Sequence, residues 1–198
     1  MSLNENIVPN KVIFISGTPC TGKTTLAIQL NKYLMENNFN SRLIKINDFA
    51  IEHDLVLGED PDKFYKVIDI ERLNLALNEE IKSFLSNVAD NEILIVEGHL
   101  SHLCEGADKM IVLRLNPNEL KSRLMERKYT ESKIQENLEA EALAVCSAEA
   151  YELYGEGIDE IDSTAKSVEE VLNLIIDIIF NNASYPVGMI DFMDWFLV

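Results

Sequence analysis

Cysteine is scarce in this sequence, and its placement excludes two kinds of site. The 198 residues contain three cysteines, Cys20, Cys104 and Cys146, which are scattered and form no C-x-x-C pair. An odd, dispersed set provides neither the disulfide framework of a small secreted domain nor a four-thiolate metal site. His99 and His102 stand near Cys104 with a loosely ligand-like spacing, but no further histidine or cysteine lies nearby, so we do not expect zinc.

The sequence also lacks a segment that could export or anchor the chain. Residues 1–10 do not have the basic and then apolar layout of a signal peptide. The longest apolar stretch, residues 171–180, contains Asn173 and Asp177 and is too short to cross a bilayer. We therefore expect a soluble, cytoplasmic protein that has no membrane partner.

The sequence also contains few positively charged residues relative to negatively charged ones. Lysine and arginine number 17 against 34 aspartate and glutamate residues, which gives a net charge of −17. A surface of this sign repels phosphate backbones, so we do not expect non-specific binding of nucleic acid. It leaves open a partner that is itself basic, such as a ribosomal or chromatin protein.

The sequence contains one strong motif, which lies near the amino terminus. Residues 12–15 are an apolar run without helical period, as expected for a buried strand of a parallel sheet. The run is followed by Gly17-Thr-Pro-Cys-Thr-Gly22-Lys23-Thr24-Thr25, which matches the phosphate-loop pattern G-x-x-x-x-G-K-[ST] and precedes apolar residues at helical spacing. Strand, glycine loop and helix thus occur in the order that a phosphate-binding loop requires.

This motif predicts a triphosphate site built largely from main-chain groups. Gly17 and Gly22 let the backbone turn so that successive N–H groups face one concavity, and the following helix N-terminus adds a partial positive charge. Lys23 is expected to reach the β- and γ-phosphates of ATP, while the Thr24 hydroxyl ligates Mg²⁺. The remaining members of the predicted ATP-binding loop are Cys20 and Thr25.

Apolar patterning along the rest of the chain predicts alternating strands and helices. Strands are expected at residues 42–46, 92–97, 109–115 and 158–162, and helices at residues 24–37, 70–85, 130–154 and 167–181, with another helix starting at Pro117. This alternation predicts a three-layer α/β fold of the P-loop NTPase type, with a parallel sheet of about five strands and helices on both faces.

Two segments depart from this pattern. Residues 47–68 hold only a short helical pattern, and we expect a mobile flap there rather than sheet. Residues 186–198 follow a single domain of residues 1–185 and are unusually apolar and aromatic. This tail either packs back on the domain, which we favour, or forms an exposed peptide that binds a partner or a second copy.

Three features beyond the loop could carry chemistry. Glu97 ends a buried strand, where a second acidic group normally orients Mg²⁺ or its waters. His99 could orient the attacking oxygen, or it could be a loop histidine that bonds to backbone. Arg127 belongs to a basic cluster at residues 123–133 and is favoured to neutralise a transferred phosphate, although a solvated helix face remains the alternative.

Four stretches of the sequence together resemble the type-six adenylate kinases, over about residues 11–180. They are the loop at residues 17–25, Val96-Glu97-Gly98-His99, Val112-Leu-Arg114-Leu115, and the run Arg127-Lys-Tyr129-Thr-Glu-Ser-Lys133-Ile-Gln-Glu-Asn137-Leu-Glu-Ala-Glu141. Glu97-Gly-His and Ser101-His102-Leu103 look like the archaeal branch of that family. The resemblance implies a P-loop kinase domain with a monophosphate-binding flap at residues 46–68 and a lid at residues 126–136, from which Arg127 contacts the ATP phosphates.

The resemblance also implies an activity and a partner. The family contains broad-specificity nucleoside monophosphate kinases that use ATP and Mg²⁺ and have side ATPase activity. It also assists late maturation of the small ribosomal subunit, where it binds a platform ribosomal protein. An acidic chain with an aromatic tail fits that second role.

This sequence departs from the family pattern at three places. Cys20 stands where the family has its third loop glycine, and Glu97-x-His99 replaces Asp-x-His. No arginine lies between Arg42 and Arg72, although monophosphate kinases commonly grip the acceptor phosphate with a flap arginine. The candidates for the monophosphate site are Asp48, His53 and Arg72. Either Lys63, Lys66, Arg72 or the lid replaces the missing arginine, or the acceptor is bound weakly.

Three functions stay open at this point. The leading one is a nucleoside monophosphate kinase, and the second is an ATPase assembly factor that docks on a ribosomal protein. A small-metabolite kinase of the same fold is weaker, since the lid run does not match what such kinases show. The guanine-reading N-K-x-D motif is absent, which argues against a GTPase switch.

Overall fold

Two apolar clusters, one on each face of a central parallel sheet, form most of the core of the computed structural model, which describes residues 11–59 and 66–197. The sheet has five strands in the order β2-β5-β1-β6-β7, all parallel. In chain order the elements are β1 (Val12–Gly17), α1 (Lys23–Glu36), β2 (Asn40–Lys45), α2 (Ile46–Glu52), β3 (Val56–Glu59), β4 (Lys66–Ile68), α3 (Ile70–Ser86), β5 (Glu92–Glu97), β6 (Lys109–Arg114), α4 (Pro117–Glu126), α5 (Glu131–Ala142), α6 (Val145–Tyr154), β7 (Ile158–Asp162) and α7 (Val168–Asn181). The predicted three-layer α/β fold of the P-loop NTPase type is confirmed.

The strand order indicates where on the sheet a ligand would bind. Helices cover both faces of the sheet, which explains why the central strands are continuous apolar runs rather than alternating ones. The chain leaves β1 towards β2 on one side and later adds β6 and β7 on the other, so its direction reverses beside β1. In open α/β sheets, ligands bind in the crevice at such a reversal, outside the carboxyl ends of the strands.

The predicted helix over residues 130–154 is wrong in one respect, because it is two helices. The helices α5 and α6 are separated at Ala144, which adopts a left-handed conformation with φ 56°. No glycine or proline marks this break. Leu138 on α5 packs with Leu115, Leu120 and Leu124, whereas Cys146 and Ala150 on α6 join the cluster against the sheet. The helices α5 and α6 are therefore separated at Ala144 because they pack against two different apolar clusters.

The segment predicted to lack sheet does contain it. After α2, the strands β3 and β4 form a two-stranded antiparallel hairpin that is separate from the main sheet. These strands are only four and three residues long, with a register shift at Gly58, so their sequence signal is weak. Lys63, one of the candidate cations, lies outside the described residues.

The carboxyl-terminal segment, residues 182–197, packs on the domain. The backbone N–H of Glu160 donates to the Tyr185 carbonyl (2.7 Å), and the N–H of Gly188 donates to Glu160 Oε2 (3.0 Å). Trp195 packs against the small cluster around Leu120. The packed interpretation of residues 186–198 therefore holds for the described part, although Leu197 stays 83% exposed.

No helix within residues 11–59 and 66–197 is both long enough and apolar enough to cross a membrane.

Candidate active site

The phosphate loop joins β1 to α1 and has the backbone that its glycines predict. Gly17 has φ +135°, and a Cβ at this position would lie 2.4 Å from the Leu113 carbonyl oxygen, so no larger residue fits. Gly22 also has positive φ, +108°. Cys20 adopts the left-handed region too, with φ 71°, so the loop accepts a side chain where the family has glycine. Main-chain sterics thus fix the loop shape.

Lys23 begins α1 and is held inside the loop. Its side-chain Nζ donates to the Thr18 carbonyl (2.8 Å), and the residue is 7% exposed. Burial lowers the pKa of Lys23, and nearby groups including Cys146 and Glu97 oppose that shift. The ammonium is therefore already placed at the loop before a phosphate arrives.

The Thr24 hydroxyl and the Glu97 carboxylate are in contact beside the loop. Glu97 ends β5, where Ile15 of β1 is its register neighbour, and the Thr24 hydroxyl lies 3.1 Å from both carboxylate oxygens. Burial raises the pKa of Glu97, while the Thr24 bond and the Lys23 charge oppose the shift.

This pair fits magnesium. In nucleotide sites Mg²⁺ is usually held by one or two protein oxygens, with phosphates and waters completing its shell. The described residues contain no cluster of three or more His, Cys, Asp or Glu side chains that could hold a metal. Thr24 and Glu97 are the residues that would hold the ion, and substrate phosphate would complete the site.

His99 lies at the rim of the same loop. Its Nδ1 is 3.1 Å from the Gly17 carbonyl, so this nitrogen carries the proton and donates, which leaves Nε2 as an acceptor. Desolvation by the surrounding protein and the Lys23 charge lower the pKa of His99 to about 4, while the residue keeps contact with solvent. A ring with this pKa is a weak base, and it suits orienting an attacking hydroxyl better than removing a proton.

Two arginines, one on α4 and one that caps its carboxyl end, lie near the loop. Arg123 donates to the Cys20 carbonyl (3.4 Å) and pairs with Glu119 (2.6 Å), while Arg127 is the exposed cap at the end of α4. Burial raises the pKa of the Cys20 thiol, and Arg127 is the strongest of the charges that oppose this shift. Sequence reasoning favoured Arg127 over Arg123. Their separation of four residues on one helix could have indicated that they share a face.

The three residues predicted for the monophosphate site do not all lie in one cavity. Asp48 and His53 line a cavity of about 300 Å³ beside β2 and α2, where the His53 ring stacks on Phe49 at 3.9 Å. Arg72 instead lies in the first turn of α3, where its N–H donates to Asp69, and it does not line this cavity. The cations of the cavity are Arg42, which pairs with Glu80 (2.5 Å), and Lys45.

The sequence reasoning missed Lys45. It is the last residue of β2 and the register neighbour of Glu97, and its charge acts to lower the pKa of that carboxyl. The signal was available, because active sites in such folds gather residues from the carboxyl ends of neighbouring parallel strands.

Comparison with known proteins shows the family of this chain. The family model described as "AAA domain" matches residues 13–144. A protein of Methanothermobacter thermautotrophicus, named "Putative adenylate kinase", is 42% identical over 187 residues, which are 94% of this chain and 99% of that protein. The chain belongs to this adenylate kinase family. Relatives of the same name in Methanosarcina barkeri and Pyrococcus furiosus are 37% and 36% identical and cover 92% and 91% of this chain and 98% and 90% of their own.

A solved structure shows the same fold. A protein of Eubacterium ventriosum described as uncharacterized has a TM-score of 0.52 and 16% identity, and the match covers 85% of this chain and 97% of that one. At this identity the likeness concerns the fold alone.

Behind the loop, this adenylate kinase family member has a hydrogen-bond relay that runs from buried Ser16 through His102 to the exposed Glu149. Ser16 Oγ lies 2.7 Å from His102 Nδ1, and His102 Nε2 lies 2.8 Å from Glu149. Burial lowers the pKa of His102, and the Glu149 carboxylate opposes this shift. Ser16 is fully buried, so the relay braces the end of β1 and does not present a nucleophile.

Proposed function

We propose that this chain is a nucleoside monophosphate kinase of the type-six adenylate kinase kind, which transfers the γ-phosphate of ATP to AMP or another monophosphate. The observation that carries this proposal is the convergence on one loop of Lys23, the Thr24–Glu97 pair and His99. The three relatives named "Putative adenylate kinase" support the same reaction.

Each residue has a separate role in this proposal. Lys23 and the arginines of α4 neutralise charge on the phosphoryl group, because such transfer depends mainly on positioning and electrostatics. Thr24 and Glu97 hold magnesium, which when bound neutralises charge on the β- and γ-phosphates. His99 accepts a hydrogen bond at Nε2 and orients the attacking oxygen. Residues 46–68 and 126–136 act as flap and lid that exclude water.

We assign the acceptor phosphate to Lys45. The sequence provides no flap arginine between Arg42 and Arg72, and Arg42 is engaged by Glu80. Lys45 ends β2 as the register neighbour of Glu97, and it lines the same cavity as Asp48 and His53. A monophosphate whose nucleoside occupies this cavity would direct its phosphate at the loop.

A second role is supported by the charge and by the carboxyl-terminal segment. The net charge is −17, and the segment leaves Met189 and Leu197 79% and 83% exposed. These features suit an ATPase in the cytoplasm that assists maturation of the small ribosomal subunit and its rRNA by docking on a basic ribosomal protein. The two roles are compatible, because both use the same ATP site.

One assay separates the two roles. The purified protein is incubated with Mg·ATP and each nucleoside monophosphate in turn, and nucleoside diphosphate is quantified against free phosphate. We expect diphosphate from the acceptor, with AMP among the accepted substrates. Release of free phosphate alone, at a rate that no monophosphate changes, would refute the kinase and leave the ATPase role.

Replacing Lys45 with methionine tests the acceptor site. We expect the KM for the monophosphate to rise roughly 10- to 100-fold, since a hydrogen bond to a charged group is lost, while the KM for ATP stays within about twofold. Lys32→Met on the exposed face of α1 is the matched control and should change neither constant. Equal effects of Lys45→Met on both KM values would contradict the assignment.

A further inference from the structure

A buried network of charged and polar groups reaches the phosphate loop from behind. The Thr18 hydroxyl donates to Glu141 Oε2, and Glu141 Oε1 accepts from Arg114 Nε (2.8 Å) and from the Leu115 N–H (3.0 Å). Arg114 also donates to Glu160 Oε1 (2.6 Å) and to the Glu141 carbonyl (2.7 Å). Loop, β6, α5 and β7 each contribute one of these side chains.

Because these side chains are buried, they cannot exchange their hydrogen-bond partners for water. Thr18, Arg114 and Glu141 are each 1% exposed, and Glu160 is 3% exposed. A buried charge that loses its partner is costly, and both oxygens of Glu141 already accept hydrogen bonds. The Thr18 side chain is therefore held at one place.

The position of Thr18 matters because its carbonyl organises the loop. This oxygen accepts from Lys23 Nζ (2.8 Å) and from the Thr21 hydroxyl (2.9 Å), and the Thr21 N–H also points to it (3.3 Å). A shift of Thr18 would move the acceptor that places the Lys23 ammonium. It would also move the N–H groups of the following residues.

We propose that Glu141, held by Arg114, is a positioning residue that fixes Thr18 and so sets the loop and Lys23 in the geometry that binds a triphosphate. The proposal rests on the ATP site proposed above and gives this site a support that lies outside the phosphate-loop motif. Because α5 begins within the lid residues 126–136, the same carboxylate joins the helix that carries the lid to the loop.

Thr18→Val is the direct test, because valine keeps the shape of threonine and removes the hydroxyl. We expect the Kd for Mg·ATP, measured by calorimetry, to rise roughly tenfold or more. Thr18→Ser keeps a donor and should bind within about twofold of the wild type. The KM for the monophosphate should stay unchanged in both variants, since Thr18 does not line the acceptor cavity.

A purely structural role gives a different pattern. In that case Thr18→Val lowers the unfolding temperature while its Kd for Mg·ATP stays equal to that of the wild type, and this result would overturn the proposal. Should the valine variant not fold, Thr18→Ala removes the hydroxyl without adding bulk, and the same comparison applies. Since calorimetry measures binding and not turnover, failure of the kinase assay leaves this test intact.

Discussion

Replacing Lys23 with alanine is expected to remove phosphoryl transfer and ATP hydrolysis together. The ammonium lies at the loop, within 2.8 Å of the Thr18 carbonyl, where it would meet the β- and γ-phosphates. Loss of one preorganised electrostatic contact commonly costs about 10²–10³ in kcat, and we expect at least that loss here. The measurement is diphosphate and free phosphate formed per enzyme, with calorimetric ATP binding on the same sample.

The same variant should not be less stable than the wild type. Burial lowers the pKa of Lys23 in the folded protein below its unfolded value, so at neutral pH the ionisation of this group favours the unfolded chain and opposes folding. Removing it should leave the unfolding temperature unchanged or higher. Lys32→Ala, on the exposed side of α1, is the control and should keep full activity. Retained turnover in Lys23→Ala would remove the basis of the proposed mechanism.

Arg114→Met is expected to destabilise the fold by about 3–5 kcal/mol. Arg114 is 1% exposed and pairs with Glu141 and Glu160 at 2.8 Å and 2.6 Å. Methionine fills much of the volume but leaves two buried carboxylates without their cation. Urea denaturation at neutral pH measures the loss as a change in the free energy of unfolding.

An exposed ion pair provides the matched control for Arg114. Arg42 pairs with Glu80 at 2.5 Å, but its side chain is 56% exposed, so Arg42→Met should cost no more than about 1 kcal/mol. In the Arg114→Met background, Glu160→Gln should recover part of the stability, because it removes one of the two stranded charges. Equal costs for Arg114→Met and Arg42→Met would show that the buried network adds nothing to stability.

The features of this protein that its sequence predicts well are those formed by residues close together in the chain. The apolar run of β1, the glycine loop and the helical spacing of α1 lie within one short stretch, and each has its own signal. Thr24 and Glu97 are each predicted as magnesium ligands, Glu97 because it ends a buried parallel strand, and the structure places the Thr24 hydroxyl 3.1 Å from the Glu97 carboxylate. The requirement for glycine at position 17 is also predicted by the phosphate-loop motif, and the structure explains it by the positive φ and the close Leu113 carbonyl.

What the sequence did not predict depends on distant contacts. The break at Ala144 has no glycine or proline and comes from two packing clusters. Arg114 and Glu141 stand out in the sequence only through the family resemblance. Nothing local indicates that their partner is Thr18, because that contact exists only once β6 and α5 have assembled around the loop.

The Thr18–Glu141 hydrogen bond has a consequence for the order of events during protein synthesis. It joins residues 123 positions apart, so a nascent chain can hold the whole glycine motif long before the carboxylate that braces it leaves the ribosome. Such contacts of high sequence separation form late, because the intervening chain must first be ordered. On the proposal made for Glu141, we therefore expect the nascent chain to bind nucleotide more weakly until α5 docks on the loop.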